Sequence, residues 1–107
     1  MVPKIEKMIK HIVFFKLSDF KSPDDKIRQL KKLDQIFSPL RDNFPFIIEY
    51  KTGINFNTAP HSWDFAIDSI FRNNEDLQIY LNSEEHQEAI KKGSEIEKTK
   101  AVIDYEF

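Results

Sequence analysis

The chain has 107 residues, 40% hydrophobic and 32% charged, which is enough for one globular domain with one core. A net charge of −2, with basic residues scattered among acidic ones, supplies no surface for neutralising phosphates, so no nucleic-acid partner is expected. The absence of cysteine excludes disulfides, thiolate catalysis and Cys-based metal sites, and no apolar run nears the roughly 18 residues of a membrane span. A cytoplasmic protein without membrane contact is the expectation.

Residues 1–7 read as a loose N-terminal segment and residues 8–107 as a single domain. Residues 9–17 form the first predicted strand, because alternation puts Ile9, His11, Val13, Phe15 and Leu17 on one face and Lys10, Ile12, Phe14 and Lys16 on the other. Ser22-Pro23-Asp24-Asp25 then supplies a hydroxyl cap, a proline in the first turn and two carboxylates at the positive end of a helix. Ile27, Leu30, Leu33, Ile36, Phe37 and Leu40 recur along it as one apolar stripe, with Pro39 set to kink or end it.

A second strand is predicted over residues 46–54 and a third over residues 63–71, joined as an antiparallel hairpin through Gly53, Asn55, Asn57 and Pro60. Asn74-Glu75-Asp76 starts a short helix carrying Leu77, Tyr80 and Leu81, and Ser83-Glu84-Glu85 starts another carrying His86, Ala89, Ile90, Gly93 and Ile96. Residues 101–107 close the chain as a fourth strand.

This order is that of an α+β, ferredoxin-like βαββαβ domain with a four-stranded antiparallel sheet. Its helices shelter one sheet face only. Ile12, Phe14, Ala66, Ile70 and Val102 are expected on the other, where a second copy of the chain covers them. Ten Phe, three Tyr and one Trp supply more aromatic surface than so small a domain buries alone.

The run Met8-Ile9-Lys10-His11-Ile12-Val13-Phe14-Phe15-Lys16, the Gly53-Ile54-Asn55 turn, Trp63-Asp64, the segment from Leu77 to His86 and the closing Val102-Ile103-Asp104-Tyr105-Glu106 together resemble the stress-responsive A/B barrel (Dabb) family. The resemblance implies a dimeric α/β barrel, two ferredoxin-like subunits packed sheet against sheet with helices outside. It implies no cofactor. One plant member of that family is a polyketide cyclase performing a metal-free aldol cyclisation, and by motif position its two histidines fall on His11 and His86 and one of its tyrosines on Tyr80. This chain departs from it at Ser83-Glu84, which replaces a His-Pro pair, and near Phe37, where a second cyclase tyrosine falls on an apolar position.

His11, His86 and Tyr80 are therefore the candidate catalytic residues, with Val13, Phe15, Phe37, Leu77 and Ile90 as candidate pocket walls between sheet and helices. His86, in the first turn of its helix, is held toward the neutral form by the positive helix end. His61 reads as an exposed loop residue, and Asp64 and Asp68 as solvated or edge-protecting carboxylates on one strand face. No metal site is expected, since neither a His-Glu-x-x-His spacing nor an acidic cluster occurs.

Three functions fit these residues. The first is a homodimeric stress-associated protein binding a small hydrophobic or aromatic molecule. The second is a metal-free lyase or cyclase in which His86 removes a carbon-bound proton while His11 and Tyr80 steady the enolate oxygen. The third is an assembly domain without a ligand.

Overall fold

Strict alternation makes β1 (Ile9–Leu17) a two-sided strand, in which Ile9, His11, Val13, Phe15 and Leu17 are buried and the residues between them are half-buried. The computed structural model describes residues 7–107, so the expected loose segment lies outside the described residues apart from Lys7. Helix α1 (Pro23–Phe37) begins as its sequence dictates: the Ser22 hydroxyl accepts the Asp25 N–H at 3.1 Å, with proline and two carboxylates in the first turn. Leu30, Leu33 and Phe37 form its buried stripe, whereas Ile27 is exposed. Because Pro39 has no N–H to continue the α pattern, the chain passes into a 3-10 segment, Ser38–Asn43, that buries Leu40.

Strand β2 (Glu49–Ile54) is shorter than expected, as Phe46 and Ile47 pack on the core edge before pairing begins. It is followed by β3 (Phe65–Phe71), α2 (Asn74–Leu81), α3 (Glu84–Gly93) and β4 (Lys98–Glu106). The α2 cap is Asn73, one residue earlier than the sequence suggests, its side-chain oxygen accepting the Asp76 N–H at 2.9 Å. Strand β4 starts three residues before the first predicted position, at lysines whose charge hides the edge strand from a hydrophobic pattern.

The sheet order is β2-β3-β1-β4 with every neighbouring pair antiparallel, and the helix-side core runs from Phe15, Phe65 and Phe71 on the sheet to Leu33, Phe37 and Tyr80 on the helices. Register fixes which side chains share a face. Phe14 stands opposite both Ala66 and Ala101, Ile12 opposite Ile103, and Lys10 opposite Ile70 and Tyr105, so these residues line the face that the helices leave open. Val102 does not belong with them. It stands opposite Val13 and therefore on the helix side, 47% exposed because β4 is an edge that the helices do not fully cover.

Asp64 is also corrected, from a solvated carboxylate to a buried one. One oxygen accepts the Leu17 N–H at 2.8 Å and the other pairs with Lys26 Nζ at 2.9 Å, tying α1 to the end of β1. Asp68 pairs with Lys10 on the open face at 2.9 Å, and His61 is exposed as expected. No helix among the described residues is long and apolar enough to cross a membrane.

Candidate functional site

The β1–β4 register builds one wall of a crevice. On the helix side of β4, Lys98 stands opposite Leu17, Lys100 opposite Phe15, Val102 opposite Val13 and Asp104 opposite His11. Helix α3 and its capping residue supply the facing wall with Ile90 and Ser94. Between them lies a space of ≈ 170 Å³ lined by Phe15, Phe37, Ile90, Ser94, Lys98 and Lys100. Gly93 lets the helix approach its back wall, since a Cβ there would stand 3.3 Å from the Phe37 ring.

His11, 4% exposed, faces the same layer and donates its Nδ1–H to the Asp104 carboxylate. His86 is fixed twice at the break between α2 and α3. Its backbone N–H reaches the Ser83 hydroxyl at 3.1 Å, and its Nδ1–H reaches the Leu81 carbonyl at 3.0 Å. With Nδ1 of each ring engaged, Nε2 is the ring nitrogen that makes no hydrogen bond among the described residues. Both rings pack on Tyr80, with centroids 6.4 Å from it for His11 and 4.8 Å for His86. The three candidate catalytic residues thus converge on one cluster.

The family pattern of the stress-responsive A/B barrel domain matches residues 9–107. A dimeric protein of unknown function and ferredoxin-like fold from Bacteroides fragilis is 32% identical, covers 94% of this chain and 96% of its own, and superposes with a TM-score of 0.80. This chain belongs to the stress-responsive A/B barrel (Dabb) family. A hydroxynitrile lyase from Passiflora edulis shares the fold at 19% identity, with 96% of this chain and 95% of that one covered and a TM-score of 0.76. A Dabb protein from Mesorhizobium loti does so at 19% identity, 92% and 95% coverage and a TM-score of 0.64. No curated protein matches the sequence.

Within this Dabb domain, burial pushes the His86 pKa below the ordinary histidine value, outweighing the raising effect of its bond to Leu81, with Lys100 and His11 adding smaller repulsions. Above the ordinary value of 6.5 the ring is neutral in both folded and unfolded chains. As pH falls below that value, the unfolded chain takes up the proton first, so the folded state loses stability until the lowered value is passed.

Tyr80 is placed differently from the role first assigned to it. It is 1% exposed, and its hydroxyl lies 3.4 Å from that of Tyr50, which in turn donates to the Phe37 carbonyl at 2.9 Å. Because Tyr50 has given its proton to Phe37, Tyr80 is the donor between the two phenols. The Tyr80 hydroxyl is thus turned inward to Tyr50, while its ring packs against both imidazoles. Burial raises the pKa of both phenols.

Phe15, Phe37 and Ile90 do line the crevice, but Val13 and Leu77 are sealed in the packed core. Sequence reasoning missed Asp104 and Tyr50. Asp104 emerges only once β4 is in register with β1; Tyr50 carried a signal, as an aromatic flanked by charged residues in an alternating strand. A larger hollow of ≈ 540 Å³ lies by the open sheet face, lined by Phe14, Phe56, Trp63 and Ala66 among others. Only apolar and neutral polar side chains line it.

Proposed function

We propose that the protein is a homodimer whose subunits each bind a small apolar or aromatic molecule in the crevice between α3 and β4. The observation that carries this reading is the crevice itself, where Phe15, Phe37 and Ile90 form apolar walls near the cluster of buried His11 and Tyr80 with half-buried His86. Its ≈ 170 Å³ suits one ring, since an apolar cavity of about 150 Å³ accepts benzene. Pairing of two open sheet faces is supported by the apolar residues they carry and by the Bacteroides fragilis relative, itself described as dimeric. On that face Lys10 is paired with Asp68 and Lys51 with Glu49, while Lys16 Nζ donates to the Pro60 carbonyl at 3.0 Å.

Calorimetric titration with phenol is expected to give one site per subunit, and Ile90→Trp, which fills the crevice, is expected to abolish it. Equal binding by wild type and variant, or none by wild type, removes this reading.

A second reading is favoured by the His11–Asp104 bond, because a carboxylate that holds an imidazole in one tautomer leaves Nε2 as a positioned base. The protein is then a metal-free lyase or cyclase in which the imidazoles move a proton on carbon. Wild type would exchange the acidic C–H of an aryl ketone with deuterated water faster than buffer does. Its rate would be full near neutral pH and fall with acidification below the ordinary histidine range, following the lowered His86 value. Exchange no faster than that of His86→Gln would end this second reading.

A further inference from the structure

The crevice carries a charge pattern that the histidine cluster does not use. Lys98 and Lys100 stand two residues apart on the helix side of β4, and both line the space shared with Phe15, Phe37 and Ile90. Their environments differ. Lys98 Nζ donates to the carbonyls of Gly93, at 2.5 Å, and Ile96, at 3.2 Å, so it caps the negative end of α3 while lying 5.1 Å over the Phe15 ring. Lys100 is exposed and, among the described residues, makes no ion pair.

The neighbouring carboxylate does not neutralise them. Asp104 lies four residues further along the strand, opposite His11, and accepts that ring's proton. From the α3 side the crevice is lined by the uncharged Ile90 and Ser94, and His86, which feels Lys100, is held toward the neutral form. Burial and the repulsion from Lys100 lower the Lys98 pKa, which marks the rim as short of negative charge. A ligand bringing one anionic group to this rim relieves that repulsion while its ring rests on Phe15, Phe37 and Ile90.

We infer that the crevice selects aromatic carboxylates over their neutral counterparts, with Lys100 as the residue that meets the carboxylate and Lys98 as a fixed positive charge behind it. This inference rests on the crevice being a ligand site and adds the class of ligand. The ≈ 170 Å³ of the crevice suits a ligand whose body is a single ring.

The test is calorimetric titration of the full chain with benzoate and with benzamide, which share a shape and differ in charge, repeated for Lys100→Gln and at raised salt. Benzoate is expected to bind about fivefold more tightly than benzamide, as befits one partly exposed ion pair. Lys100→Gln and added salt are expected to weaken benzoate binding and so to shrink that preference. Equal affinity for the two probes in the wild type overturns the anion selectivity, and a preference that Lys100→Gln leaves undiminished overturns the role of Lys100; either outcome leaves the apolar crevice standing. Failure of both probes to bind overturns the inference together with the reading beneath it.

Discussion

Tyr80→Ala is expected to lower the unfolding free energy by about 3–5 kcal/mol, the range for truncating a large buried aromatic side chain. Tyr80 is the hub of the aromatic layer: its ring lies 5.2 Å from Phe44, 5.4 Å from Phe71 and 6.1 Å from Tyr50, besides its contacts with both histidines. Removing it opens a void that five rings border, and such rings cannot collapse inward without leaving their rotamers. Tyr80→Phe keeps the ring and loses only a long hydrogen bond, so about 1 kcal/mol is expected for it. Urea melts of the three proteins at one fixed concentration check both values, because the stability of an associating protein depends on concentration. An alanine variant with the wild-type midpoint would show that the layer is held together elsewhere.

The second large effect concerns assembly. Phe14→Asp places a carboxylate in the middle of the open sheet face, opposite Ala66 and Ala101, where a second subunit is proposed to pack. An unpaired charge buried in an interface costs about 3–5 kcal/mol, and twofold symmetry introduces it twice. Dimer affinity should therefore fall by at least about a hundredfold, at 1.4 kcal/mol for each factor of ten. Sedimentation velocity at micromolar concentration is expected to show a dimer for the wild type and a folded monomer for the variant. A wild-type monomer, or a variant that stays dimeric, places the interface somewhere other than this face.

The fold was legible because its strongest elements obey local rules. Alternation through β1 and β3 and the capped stripe of α1 need no tertiary information, and all three lie close to where the pattern puts them. Misreadings gathered where a neighbour decides. Val102 lies in a strand whose two faces look alike in sequence, and only its pairing with Val13 turns it toward the helices. Asp64 resembles any solvated strand carboxylate until Leu17 and Lys26 are brought to it. Within the candidate site, the two histidines carried a signal of their own, and the grouping of His11, His86 and Tyr80 followed from topology. Neither Asp104 nor the inward turn of the Tyr80 hydroxyl could follow from it, as each depends on a partner far away in the chain.

The interruption between α2 and α3 spans only Asn82 and Ser83. A single rod through this stretch would spiral each successive side chain by about a third of a turn, and Leu81 would have no open carbonyl to offer an imidazole. The aim of the His86 ring is thus written into a stutter of the main chain. Residues that mend or shift that stutter would turn the ring as surely as those that touch it.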